Sequence, residues 1–136
     1  MSKTRNFSLS MRLVTLCLVM PLLCCSCADL AVKNIHSDTF TTQFRMFKAT
    51  VKNEGMTGAA ASKTSVQKAD NPAGPYTQVS AVSTAPLSAG QEIELPLMPD
   101  YGNCVHLRVC ADTDDVVNEG PTGEGNNCTT KSMGCQ

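Results

Sequence analysis

The chain has 136 residues, enough for one domain with a single core, and contains eight Cys but no Trp. Lys3, Arg5 and Arg12 are three of its eleven basic residues, so removal of residues 1–28 leaves eight Lys and Arg against twelve Asp and Glu, a net charge of −4. An acidic domain with no basic stripe is unsuited to nucleic acid, which is therefore excluded as a partner.

Residues 1–28 are predicted to be an export signal. A basic start precedes the apolar run Leu13–Leu23, which is shorter than the ~20 residues that span a bilayer, and a patch of small residues follows. Two processing routes stay open. Cleavage after Ala28 would give a secreted domain, whereas the segment also resembles a bacterial lipobox, in which Cys27 is acylated and becomes the new N-terminus. We expect the lipoprotein, because Cys27 would otherwise be an unused thiol in an exported chain.

From Asp29 onward, short alternating segments are separated by turn residues, and no helical period occurs. Pro96 lies in one of these segments and has no N–H for a ladder, so this strand is predicted at a sheet edge. His36–Gln43 is polar and is predicted to be a loop. Strands are predicted at 29–35, 45–53, 60–68, 76–82, 91–97, 103–111 and 126–132. Seven short strands predict an antiparallel β-sandwich of immunoglobulin type over residues 29–136.

Four segments of the chain resemble, in the same order, the CARDB domain, a bacterial cell-adhesion-related module. They are Asp29–Ile35, Ala49–Gly55 with its Asn-x-Gly turn, Pro86–Gly90, and Leu107–Asp112 followed by Asp114, Asp115, Val117, Glu119, Glu124 and Asn126. The chain departs from the family in a longer acidic loop around Gly120–Gly123 and in cysteines that flank the last hairpin. The resemblance implies an immunoglobulin-like sandwich, an extracellular interaction role and no catalytic residues.

Cys104, Cys110, Cys128 and Cys135 follow the signal, an even number that is typical of disulfides in an exported chain. At ~3.3 Å per residue, Cys104 and Cys110 lie roughly 20 Å apart on one strand, which is too far for a disulfide. In an antiparallel hairpin, the residue numbers of opposed positions add to a nearly constant sum. The predicted pairs are therefore Cys110–Cys128 and Cys104–Cys135, and a bulge would absorb the difference of one residue between their sums. The alternative is zinc bound by Cys104, His106 and Cys110 with Cys128 or Cys135, although this is not a standard zinc-knuckle spacing.

The loop between the last two strands is rich in oxygen ligands of the kind that calcium prefers. The alternative interpretation of this loop is a calcium site built from Asp112, Asp114, Asp115, Glu119, Glu124 and Asn126. The sequence lacks the Gly and terminal Glu positions of an EF-hand. The favoured interpretation is a solvated loop in which Asp and Asn side chains cap turns.

No enzyme is predicted. His36 and His106 are the only histidines, the first in the predicted loop and the second on the exposed face of a strand. His36, Ser37 and Asp38 are the residue types of a catalytic triad, but adjacent residues do not form the spatial chain that a triad requires.

The predicted function is a non-catalytic binding or adhesion module outside the cytoplasm, either lipid-anchored at Cys27 or secreted. Its partner would be a protein or a cell-surface ligand, recognised by loops at one end of the sandwich or by β-augmentation at an edge strand. The alternative is a calcium-dependent binding module that uses loop 112–126. No other cofactor is expected.

Overall fold

The computed structural model describes residues 27–39, 45–100, 104–123 and 125–134. A single helical turn, α1, interrupts the strand pattern at Gly120–Gly123. The strands are β1 (Leu30–Thr39), β2 (Arg45–Asn53), β3 (Ser62–Ala69), β4 (Thr77–Thr84), β5 (Glu92–Asp100), β6 (Val105–Cys110) and β7 (Cys128–Met133).

The strands form two antiparallel sheets, one with the order β1-β2-β5 and the other with the order β4-β3-β6-β7. In a constant-type immunoglobulin domain the fourth strand extends the sheet of the first, second and fifth strands. Here β4 pairs with β3 instead, so the first sheet has three strands and the second has four. The predicted sandwich and its seven strands are therefore confirmed, and β5 lies at an edge as Pro96 predicts.

The core lies between the sheets and is built from the alternate residues of each strand. Phe47, Ala49 and Val51 of β2 are fully buried, as their alternation predicts, and they face Leu107 and Val109 of β6 within one apolar cluster. Because opposite faces of a strand carry alternate residues, Lys48 and Lys52 lie on the outer face of the same sheet.

The first strand is longer than predicted. It continues through His36 to Thr39 and pairs with β2 over its whole length, with a bulge between Val32 and Asn34. The prediction of a loop from His36 was wrong over His36–Thr39, because polar residues also occupy the outer face of a strand. The side chains of His36 and Asp38 bind charged neighbours on the outer face of the sheet.

Side chains of the last strand close one side of the sandwich. The Thr129 hydroxyl donates to the Val32 carbonyl at 2.6 Å, and the Lys131 ammonium donates to the Ile35 carbonyl at 2.6 Å. The first and last strands are thus joined across the two sheets at their edges.

The strand directions define two ends of the sandwich. We call the one where β1 begins the Cys27 end, because Cys27 lies immediately before that strand. The loops that follow β2, β4 and β6 meet at this end, as hydrogen bonds from Asn53 to Leu87 and from Leu30 to Glu119 demonstrate. At the opposite end β3 ends, β4 begins and β7 ends.

Candidate functional site

The last hairpin has the register predicted from its cysteines. Each residue of Val105–Cys110 lies opposite one residue of Cys128–Met133. The residue numbers of every pair add to the same sum as those of Cys110 and Cys128. These two cysteines form a disulfide, and their Cα atoms are 4.1 Å apart, the close approach of a non-hydrogen-bonded pair. Two of the proposed zinc ligands are therefore committed to a sulfur–sulfur bond, so the zinc alternative was wrong. Cys104 is also disulfide-bonded, and Cys135 lies outside the described residues.

The acidic loop starts with a turn that Asp112 closes with its own carboxylate. Its Oδ1 accepts a hydrogen bond from the Val116 N–H at 3.1 Å, and its Oδ2 accepts one from the Val117 N–H at 2.9 Å. Asp112 and Asp115 both have positive φ angles, of 46° and 52°, a conformation that Asp tolerates better than most residues. The Asp112 side chain is therefore a turn cap, and it is only 5% exposed.

The next part of the loop lies along the start of β3. The Thr113 N–H donates to the Lys63 carbonyl at 2.9 Å, and the Lys63 N–H donates to Asp114 Oδ1 at 2.9 Å. The Thr113 hydroxyl accepts from the Ser65 N–H at 3.0 Å. The loop thus continues the backbone pairing of the sheet with a carboxylate and a hydroxyl.

The second half of the loop binds the start of β1. Glu119 is 4% exposed, and its Oε1 accepts a hydrogen bond from the Leu30 N–H at 2.7 Å. The Asn126 side-chain amide donates to Asp29 Oδ1 at 2.9 Å. The buried Glu119 carboxylate therefore attaches the loop to the first strand.

The structure therefore separates the predicted calcium ligands rather than bringing them to one point. Asp112, Asp114 and Glu119 each accept backbone N–H groups at different places, Asp115 is exposed, and Glu124 lies outside the described residues. Within residues 27–39, 45–100, 104–123 and 125–134, no three His, Cys, Asp or Glu side chains come together as a metal site.

Asn53 joins three loops at the Cys27 end, a role that the sequence prediction missed. Its Oδ1 accepts from the Asp29 N–H at 3.1 Å and the Gly55 N–H at 3.0 Å, and its Nδ2 donates to the Thr57 carbonyl at 2.7 Å and the Leu87 carbonyl at 3.0 Å. The side chain is fully buried, so each polar atom needs a partner and has one. The Asn-x-Gly turn was the available signal, but a turn does not reveal distant partners.

Cys27 and Ala28 are part of the folded domain. Ala28 is 3% exposed and belongs to the core cluster, and the Cys27 carbonyl accepts a hydrogen bond from the Met56 N–H at 3.1 Å. A Cβ on Gly55 would overlap the Cys27 carbonyl oxygen and lie 2.6 Å from the Ala28 Cα. Glycine is required at this position because backbone lies directly against it.

The two histidines lie on different sheets. His36 Nε2 is 3.0 Å from Glu94 Oε2 on the outer face of the three-stranded sheet. His106 is on β6, and its Nδ1 lies 2.6 Å from the Ser132 hydroxyl. The expectation that His106 is exposed was wrong, since only 8% of it is accessible. Its other ring nitrogen is 3.8 Å from the Cys104 sulfur, so the ring packs beside a disulfide-bonded cysteine.

Lys48 is the centre of an ion cluster on that same outer face. Its ammonium binds the Asp38 carboxylate of β1 and, at 2.8 Å, Glu94 Oε1 of β5. The hydrogen bond from Lys48 lowers the pKa of Asp38 and of Glu94, and the two carboxylates raise the pKa of Lys48. The cluster joins all three strands of the sheet.

Comparison with known proteins agrees with this architecture. The CARDB family model matches residues 27–131, which is most of the chain. The chain belongs to the CARDB family. The match begins at Cys27 and therefore includes the two residues that pack against Gly55. CARDB is a family of non-enzymatic β-sandwich domains, and membership makes this protein an adhesion-related β-domain module.

Two solved structures are similar to this CARDB chain. A CARDB domain from Pyrococcus furiosus, crystallised in complex with di-metal ions, has a TM-score of 0.58 at 20% identity, over 79% of this chain and 87% of that chain. β-Glucosidase 3B from Thermotoga neapolitana, in complex with α-D-glucose, has a TM-score of 0.46 at 10% identity, over 79% of this chain and 16% of that chain. The first similarity supports the sandwich fold, and the second is too distant to carry an argument.

No curated protein sequence matches this CARDB chain significantly. The part of the chain that the structure describes contains no helix with the length and apolar character required to cross a membrane.

Proposed function

We propose that this CARDB domain is a non-catalytic binding module outside the cytoplasm, anchored to a membrane by lipid at Cys27. The observation that carries the proposal is the packing of Cys27 and Ala28 within the fold. Lipoprotein processing starts the mature chain at Cys27 and keeps both residues. Cleavage after Ala28 removes a core side chain and the acceptor of the Met56 N–H, which then loses a hydrogen bond.

The surface at the Cys27 end also supports an orientation in which this end of the sandwich faces the membrane. Three large hydrophobic side chains are notably exposed among the described residues, and two of them, Met56 (74% exposed) and Val116 (52%), belong to loops at this end. Apolar side chains next to a lipid anchor suit the boundary between headgroups and acyl chains. The opposite end would then point away from the membrane and towards a partner.

The test is the intact mass of the protein purified from its own host, before and after reduction and alkylation. The proposal predicts Cys27 as the first residue and a mass excess the size of lipid chains. A chain that begins at Asp29 without excess mass would refute the anchor. Four cysteines alkylated only after reduction would support the second predicted disulfide, Cys104–Cys135.

A calcium-dependent module is the second candidate, because the Pyrococcus furiosus domain was crystallised in complex with di-metal ions. In this chain the ion would bind the loop at the exposed carboxylates Asp114 and Asp115, two of the predicted ligands. A ligand that binds only the folded state must raise the melting temperature. The melt in calcium and in EDTA should then differ for the wild-type chain and coincide for Asp115→Asn. Identical wild-type melts in calcium and EDTA would eliminate this candidate.

A further inference from the structure

Four of the described strands lie at sheet edges, and three of these edges are obstructed. β5 contains Pro96 and Pro99, and a proline has no N–H to give to an added strand. On β1, the carbonyls of Val32 and Ile35 already accept hydrogen bonds from side chains of β7. The edges of β1 and β7 are therefore joined to each other and are not open to an added strand.

The outer edge of β4 has no such protection. Its sequence, Thr77–Thr84, contains neither a proline nor a charged residue, and Val79 is 47% exposed. A bulge lies between Gln78 and Ser80, after which Ser80–Thr84 pairs regularly with β3. In the described part of the chain no further strand pairs with this edge. An uncharged, regular edge strand is a template for another strand.

We propose that β4 is a homophilic docking edge, at which two copies of this chain pair β4 with β4 in antiparallel orientation. The two four-stranded sheets would then form one continuous sheet of eight strands around a two-fold axis. The charge distribution favours a second copy as the occupant. Like charges opposite each other destabilise a strand pair, and β4 has none to oppose in any register, whereas self-pairing of β5 would bring Glu92 and Glu94 near their copies.

The pairing direction has a consequence that rests on the proposed anchor. β4 runs from the opposite end of the sandwich towards the Cys27 end. In an antiparallel pair the two Cys27 ends therefore point in opposite directions. Two anchored copies would meet from two facing membranes rather than side by side on one membrane, which is the geometry of adhesion between cells.

The contact is expected to be weak for a single pair. One added strand buries less than the roughly 1,200 Å² typical of stable complexes. Many copies on two facing surfaces would multiply this weak affinity, because each pair formed holds the next copies close together. A weak contact also leaves each copy a monomer at low concentration.

The first experiment is analytical ultracentrifugation of the unlipidated mature chain, residues 27–136 with Cys27→Ser, from micromolar to millimolar concentration. A monomer–dimer equilibrium is expected. Ala81→Lys places a charge on an exposed position in the regular part of β4 and should raise the dimer Kd up to about fivefold, given that like charges are then opposed. Thr130→Lys, on the exposed face of the edge strand β7, is the matched control and should leave the Kd unchanged.

Amide hydrogen exchange keeps the test decisive if a variant folds poorly. In the wild-type chain, protection within Ser80–Thr84 should increase with protein concentration, while protection in β7 should not. A monomer at every concentration, equal effects of the two lysine substitutions in folded variants, or concentration-independent exchange in β4 would overturn the proposal.

The second experiment places the lipidated protein on phosphatidylcholine vesicles and follows their aggregation by light scattering. Wild-type vesicles should aggregate, and those carrying Ala81→Lys should stay dispersed. If the soluble chain dimerises but the vesicles do not aggregate, the facing-membrane geometry is wrong and strand pairing stands. An intact mass without lipid would remove the proposed anchor and leave the ultracentrifugation result unaffected.

Discussion

Single side chains hold the Cys27 end together by satisfying backbone groups that would otherwise be buried without partners. Asn53 binds four such groups from three segments, and Glu119 binds a fifth at Leu30. Asp112 does the same within its own turn. Loops cannot supply regular ladder bonds, so amide and carboxylate side chains take the place of neighbouring strands.

Asn53→Ala is expected to lower the free energy of unfolding by about 2–4 kcal/mol, because it leaves several buried backbone groups unpaired. Urea denaturation measures this loss. Asn71→Ala is the matched control, since the Asn71 side chain accepts the Ala73 N–H in an exposed loop, and the substitution should change stability by less than about 0.5 kcal/mol. Equal effects of the two substitutions would show that the Asn53 bonds contribute little.

At the scale of elements, the outer face of the three-stranded sheet is tied together by charge rather than by apolar contact. Lys48 of β2 binds Asp38 of β1 and Glu94 of β5, and His36 adds a second contact to Glu94. All four side chains are partly solvent-exposed, so water and salt screen their attraction. Their effect should therefore appear as a pH dependence rather than as a large stability.

Because the folded state lowers the pKa of Asp38 and Glu94, their contribution is present above the unfolded pKa values of 3.8 and 4.5 and is lost as the pH falls further. The raised pKa of Lys48 acts at the other limit, where stability is lost as the pH rises beyond 10.5. Lys48→Met should flatten both limbs of a plot of melting temperature against pH. Lys63→Met, at an exposed position of β3, should leave both limbs as in the wild type; a Lys48→Met profile with unchanged limbs would contradict the prediction.

Alternation of residue types was sufficient to predict most strands, and the cysteine positions predicted the hairpin register. The Arg45–Asn53 strand was predicted with its correct bounds, because Phe47, Ala49 and Val51 alternate with polar residues. The extension of β1 beyond Ile35 was not predictable, since His36 and Asp38 favour a strand only when Lys48 and Glu94 lie beside them. The separation of the acidic side chains likewise depends on backbone groups of β1 and β3 that are distant in sequence.

At the scale of the whole molecule, the fold includes the residues at which processing is predicted. Ala28 fills part of the core between the sheets, and Cys27 lies against Gly55 and close to Gly120. No spacer therefore separates Cys27 from the sandwich. A lipid on Cys27 would hold the acidic loop and the turn at Gly55 next to the membrane surface.

A chain that begins at Asp29 is expected to be less stable than one that begins at Cys27 by about 1–2 kcal/mol, since it loses the burial of Ala28 and the hydrogen bond of the Met56 N–H. Chemical denaturation of the two unlipidated chains measures the difference. A third chain that begins at Ala28 keeps the core side chain and should be intermediate. Indistinguishable denaturation midpoints for all three would mean that these residues do not stabilise the domain.

The direction of β1 also determines how the domain would carry a mechanical load. A pull on Cys27 acts along the axis of β1, which pairs with β2 over its whole length and is linked to β7 through Thr129 and Lys131. A force along a strand stretches all of its ladder bonds together, whereas a force across it opens them one after another. The domain would therefore resist tension between its anchor and its far end in shear, the loading direction in which paired strands are strongest.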